Sequence, residues 1–311
     1  MRFSIFQDTA IGARSVNQDR MGYCFTRESL LMVVADGMGG HARGEVAAQL
    51  TLQACGAAFQ RDAKPRIDDP VAFLDAALRA SHRELLRYQT VHRLPEAPRT
   101  TVVACLVQNG MAWWAHAGDS RLYWLRGGQV VSRTRDHSKV QSLVSLGLIG
   151  EHEQSTHPER NKVLNCLGSP YEPTVELTTR VKLRRGDALV LCSDGLWSGV
   201  SDQGLAGAFN GGQVAVVVPE LIKRAIAHNG RTADNTTVVA LEWEGGVDED
   251  VPVLSSLEMP EGAVTTTISY EHIDDDEASM TLTDEDIERQ IAEIQLAIQR
   301  SSDPSSGNTS R

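Results

Sequence analysis

None of the five cysteines in this 311-residue chain sits in a C-x-x-C pair, and their number is odd. A disulfide framework is therefore the poorer reading, and a reduced, cytoplasmic chain is expected. Nor does any apolar run approach the roughly 18 residues that a membrane span needs. Runs such as Ala188–Cys192 and 214–218 have the length of buried strand or helix segments. The opening residues, from Met1 to Asp8, lack the apolar core of a secretory signal. No histidine lies at a recognisable metal-ligand spacing.

Positive charge is scarce only at one end. From Gly245 to Arg311 there are 16 acids against 3 arginines, a formal −13, whereas residues 1–244 hold 25 acids and 27 bases, a net of +2. The acidity of the chain is a property of its tail. A near-neutral body lacks the basic footprint of a nucleic-acid binder, and no membrane partner is expected.

Within the body, β-branched or apolar segments at 3–7, 30–35, 100–108, 111–117, 121–125, 129–133, 174–178, 188–192 and 236–242 predict strands, separated by turn residues such as Asn109-Gly110 and Gly127-Gly128. Helical periodicity marks 45–59, 71–88 and 214–227. Hairpins of strands with helices collected in blocks predict an α+β fold. After Trp243 the composition turns acidic and rich in Thr and Ser, which reads as a linker or disordered tail over 245–311. One helical pattern interrupts it at about 284–299. Thr283 can cap it, Asp284-Glu285-Asp286 fill its first turn, and Ile287, Ile291, Ile294 and Ile298 line one face. That stripe is expected either to dock on the body or to bind a partner or a second copy of the chain.

The chemistry lies in carboxylates at strand ends. Apolar residues 31–35 run into Asp36-Gly37, residues 189–192 into Ser193-Asp194-Gly195, and Asp234-Asn235 leads into 236–239. A strand end fixes a carboxylate, and the glycine lets a backbone carbonyl approach a ligand. Each Asp-Gly alone is an ordinary turn. Several such carboxylates converging would repel unless a hard divalent cation held them, and oxygen-only ligation suits Mg²⁺ or Mn²⁺.

Seven segments occur in order: Gly12-Ala13-Arg14-Ser15-Val16-Asn17-Gln18-Asp19-Arg20; Asp36-Gly37-Met38-Gly39-Gly40-His41; Thr100-Thr101-Val102-Val103; Ala117-Gly118-Asp119-Ser120-Arg121-Leu122-Tyr123; Asp136-His137-Ser138; Leu191-Cys192-Ser193-Asp194-Gly195-Leu196-Trp197; and Asp234-Asn235-Thr236-Thr237-Val238-Val239. Together they resemble the PPM family, the type 2C metal-dependent serine/threonine protein phosphatases, and its bacterial branch in particular, over residues 1–244. The resemblance implies a four-layer α-β-β-α sandwich of two antiparallel sheets, with metals at its mouth. It implies that Asp36 bridges two ions, that the Gly37 carbonyl ligates one, and that Asp194 and Asp234 complete the other. Asp119, with Asp194, would serve a third, weaker ion; Arg14 would grip the substrate phosphate; and Asp19 would orient water from behind the ligands. Residues 139–169 match the family's variable flap.

Two positions depart from the pattern: Gln18, where Glu is more usual, and Met38, where animal members carry a histidine proposed as general acid. The proton donor is left unnamed, and His137 is unassigned. The expected partners are phosphoproteins, those of a cognate serine/threonine kinase. The competing reading is an inactive phosphatase fold used as a binding module. Loss of a metal carboxylate would mark it, and all four are present.

Overall fold

The computed structural model describes residues 1–38, 43–245 and 264–265. His41 and the expected helix at 284–299 lie outside them. The elements run β1 (Arg2–Ala10), β2 (Asp19–Phe25), β3 (Ser29–Met38), α1 (Gly44–Asp62), α2 (Pro70–Val91), β4 (Arg99–Thr100), β5 (Val102–Gln108), β6 (Met111–Ala117) and β7 (Arg121–Arg126). They continue through β8 (Gln129–Arg133), α3 (Lys139–Ser145), β9 (Glu176–Leu177), β10 (Val181–Lys182), β11 (Ala188–Cys192), α4 (Asp194–Trp197), α5 (Asp202–Ala208), α6 (Val214–Asn229) and β12 (Thr236–Gly245).

One antiparallel sheet has the order β1-β12-β11-β7-β8, the other β10-β6-β5-β3-β2, with β4 added to β3 and β9 to β6. Strand alternation explains how they stack. In β11, Leu189 and Leu191 face the opposite sheet and meet Met32, Val34, Val103 and Cys105, while Val190 and Cys192 face helices α4 to α6. In β12, Val239 and Leu241 turn inward, and Val238 and Ala240 turn to the helices. A strand buried on both faces reads as a continuous apolar run, as these two do. Helices α1 and α2 pack on the other sheet, against β2, β3, β5 and β6. The four-layer α+β sandwich is therefore present. Each large side chain in these interfaces is worth about 1.5–3 kcal/mol of burial.

Local chemistry sets the helix starts. Asp69 accepts from the Val71 and Ala72 amides, both at 3.1 Å, and Pro70 fills the first helical position, so α2 begins there. All five cysteines are buried thiols, and burial pushes each of them up in pKa. Among the described residues no helix is long and apolar enough to cross a membrane.

The predicted strand at 174–178 shortens to Glu176–Leu177, and β2, which the pattern did not suggest, is present. Val264 and Thr265, within the stretch expected to be linker, lie against β2.

Candidate active site

Strand pairing brings the expected residues to one end of the sandwich. Asp19 opens β2 directly opposite Asp36 near the end of β3. Asp194 follows β11, Asp234 precedes its neighbour β12, and Asp119 occupies the turn between β6 and β7. Asp19 and Asp119 are buried; Asp36, Asp194 and Asp234 are partly so.

The carboxylates feel one another. Burial, then the charges of Asp19, Asp194, Asp119 and Asp234, hold Asp36 well above the usual carboxylate range. Burial and the charges of Asp119, Asp234 and Asp19 do the same to Asp194. Burial pushes Asp119 to about 7, with Asp136 adding to the rise. Asp19 is pushed to about 6 by burial, against the Ser193 and Thr237 hydroxyls that favour its charge. Its Oδ2 accepts from Ser193 Oγ at 2.7 Å, while its Oδ1 is buried without a hydrogen-bond partner.

Backbone packing holds these groups in place. The Asp36 carbonyl accepts from the Thr101 amide at 2.9 Å and from Thr100 Oγ1 at 2.8 Å. A Cβ on Gly37 would lie 2.1 Å from the Gly44 carbonyl oxygen, so only glycine lets α1 start this close to the end of β3. Gly118, at φ 116°, packs on Thr101, and Thr101 Oγ1 lies 2.7 Å from Ser120 Oγ. The Thr100-Thr101 pair thus buttresses Asp36 and the Asp119 turn together. Behind that turn, Trp197 donates to the Asp119 carbonyl at 3.0 Å and stacks under Arg121, which makes a buried two-pronged pair with Asp136 at 2.8 and 2.7 Å.

Arg14 stands on the loop between β1 and β2, half exposed, and donates to Asp234 Oδ2 at 2.5 Å. Asn235 holds that loop: its Nδ2 donates to the Ile11 and Val16 carbonyls at 2.9 and 3.1 Å, and its Oδ1 accepts from the Gln18 amide at 2.9 Å. Asn235, Ser193 and Thr101 lie within the motifs, yet the sequence alone assigns them no role. Their roles rest on bonds between distant segments, a signal that spacing does not carry.

Among the described residues two groups could hold a cation. The first is the aspartate cluster. Its excess of buried negative charge, the orphaned Asp19 oxygen and the Gly37–Gly44 approach fit a hard divalent ion held by oxygens. The second is His116, His137 and Glu176, whose ligand atoms lie within 4.8 Å of one another. Hydrogen bonding removes it. Asn165 is oriented by Thr174, accepting from its amide at 3.0 Å and donating to its carbonyl at 2.8 Å. Its Nδ2 then donates to His137 Nδ1 at 2.6 Å, where the Gly118 amide also donates at 3.2 Å. The His137 proton is therefore on Nε2, facing Glu176 at 3.3 Å, and His137 has no lone pair left for a metal, which leaves too few ligands for this group. His137 instead clamps Gly118, whose carbonyl accepts from the His137 amide at 2.9 Å.

Comparison with known proteins bears on this geometry. The family model of protein phosphatase 2C matches residues 7–215, more than half of the chain. That stretch holds every expected site residue except Asp234. Serine/threonine protein phosphatase PstP of Mycobacterium tuberculosis is 38% identical over 243 residues, covering 78% of this chain. The chain spans only 45% of that relative's length. The solved catalytic domain of PstP, in complex with two manganese ions, superposes with a TM-score of 0.66 at 35% identity, over 78% of this chain and 99% of that one. The serine/threonine phosphatase of S. agalactiae superposes at 0.69 with 28% identity, over 78% of this chain and all of the other. With the strand-end aspartates gathered at one end of a matching sandwich, the chain belongs to the protein phosphatase 2C family.

Proposed function

We propose that residues 1–244 are a metal-dependent serine/threonine protein phosphatase domain, which hydrolyses phosphoserine and phosphothreonine esters with an activated water. The observation that carries this is the convergence of Asp36, Asp119, Asp194 and Asp234 at one end of the sandwich, with Arg14 at the rim beside Asp234.

Asp36, the Gly37 carbonyl, Asp194 and Asp234 would hold two Mn²⁺ or Mg²⁺ ions, and Asp119 with Asp194 a third. Bound, the cations supply positive charge that acidifies a water and offsets the charge of the phosphate. Asp19, held at Oδ2 by Ser193 Oγ, would orient that water from behind the ligands. Arg14 offers the phosphate a forked pair of donors, better matched to its oxygens than a point charge. Its contact with Asp234 fixes the guanidinium at the rim. The attack is in line with the leaving serine or threonine oxygen, and no covalent phospho-enzyme is needed. The substrates would be phosphoproteins of a bacterial serine/threonine kinase.

The test is release of phosphate from a phosphothreonine peptide with Mn²⁺, with Mg²⁺ and with EDTA. Turnover is expected with either ion and none with chelator; undiminished turnover after exhaustive chelation refutes the assignment.

A further inference from the structure

The outer edge of β2 is occupied. Among the described residues β2 ends its sheet and β1 ends the other, so each stands at a sheet edge. Thr265 fills part of the β2 edge. Its amide donates to the Tyr23 carbonyl at 2.8 Å, and its carbonyl accepts from the Tyr23 amide at 3.0 Å, the doubly bonded pair of an antiparallel ladder. The same carbonyl accepts from Gln7 Nε2, on β1, at 3.2 Å, so one residue is held by the edges of both sheets. Val264 is 6% exposed.

Gly22 explains the fit. It lies inside β2, where a glycine weakens a strand and calls for a reason. A Cβ there would come within 2.7 Å of Val264 Cγ2 and 3.0 Å of the Thr265 carbonyl oxygen. The missing side chain is the seat of the incoming valine.

We propose that the β2 edge over Gly22 is a strand-docking groove whose partner is this chain's own Val264–Thr265, a latch that anchors the segment beyond the catalytic sandwich. The groove takes an extended segment with a β-branched residue against Gly22 and a backbone pair for Tyr23. Residues 266–311 carry 11 acids against 3 arginines. With the latch closed, that charge is tethered at residue 265. The latch does not depend on the phosphatase assignment, because none of its residues touches the aspartate cluster.

The experiment is amide hydrogen exchange at Tyr23 in the full chain, in Val264→Asp and in Thr265→Pro, with the Leu31 amide in β3 as a control for intact folding. Val264→Asp puts a charge in the Gly22 seat, and Thr265→Pro deletes the donor to the Tyr23 carbonyl. Tyr23 is expected to be protected in the full chain and to exchange about tenfold faster or more in both variants, with Leu31 unchanged. Fast exchange at Tyr23 in the unaltered chain, or full protection retained in both variants, overturns the latch.

Discussion

Gln18 and Glu45 are hydrogen-bonded across the mouth of the site, Gln18 Nε2 donating to Glu45 Oε2 at 3.0 Å. The position where the family usually has glutamate here meets an acceptor-only carboxylate at the start of α1. Gln18→Glu would set two carboxylates against each other with no donor between them. In chelator it is expected to cost about 1–2 kcal/mol, seen as a lower Tm. The double substitution Gln18→Glu with Glu45→Gln restores an acceptor and a donor and should recover most of that loss. Additive losses in the double variant would show that the pair is not coupled.

A pH effect follows from the aspartates. Asp19 near 6 and Asp119 near 7 both stand above their unfolded value of 3.8, with Asp36 and Asp194 also raised. Between about pH 4 and 7 these four groups hold more protons in the folded, metal-free protein than in the unfolded chain; His82 and His116, lowered by burial, offset at most two of them, so stability falls as pH rises through that window. Asp187, whose pKa is lowered by Arg126 and other donors despite burial, loses its contribution only below its ordinary value, outside the window. Added Mn²⁺ displaces the protons. The Tm of chelated protein should fall from pH 4.5 to 8, and the rise caused by Mn²⁺ should be larger at pH 8 than at pH 5. A metal-induced rise independent of pH would contradict the raised values.

The same repulsion separates stability from turnover. Asp36→Asn removes a carboxylate that ionises against its neighbours at the centre of the cluster and should raise the Tm in EDTA at pH 8, where that ionisation costs most. It should also abolish the rise on adding Mn²⁺, along with peptide turnover. Loss of Tm in EDTA would mean that Asp36 is held by donors and not strained by its neighbours.

Much of this was legible because the sheets bury strands on both faces. Segments such as 30–35 and 188–192 are continuous apolar runs that end in Asp-Gly, so strand and carboxylate could be read together. β2 escaped for the opposite reason. Its Asp19, Arg20 and Gly22 break the apolar alternation, and Asp19 and Gly22 each answer to a distant partner. Arg20 is almost fully buried with its guanidinium on the Asn17 and Asp19 carbonyls. Gly22 answers to Val264, 242 positions away. His137 could not be assigned because its role depends on Asn165 and Gly118, which only the fold brings to it.

Arg14→Ala should mainly raise the KM for a phosphopeptide, because the lost group binds phosphate and holds no cation. Its pair with Asp234 is half exposed, so the Tm should change by the equivalent of at most about 1 kcal/mol. An unchanged KM would remove Arg14 from the phosphate.

Asn235 offers the sharper test of how the site is assembled. It touches no expected substrate atom, yet three backbone groups of the loop bearing Arg14 depend on it: the Ile11 and Val16 carbonyls and the Gln18 amide. Asn235→Ala leaves all three without that partner in a largely buried setting, a loss of about 2–4 kcal/mol. The Ala13 amide still donates to the Ala233 carbonyl at 2.9 Å, so the loop should loosen and not detach. Arg14 would then sample positions off the phosphate, and the KM should rise as it does in Arg14→Ala. If Asn235 acts through Arg14, the two effects on KM cannot add: the double variant should have a KM close to that of Arg14→Ala alone, while its Tm falls as far as that of Asn235→Ala. Multiplying KM effects in the double variant would place Asn235 on a separate path to the substrate.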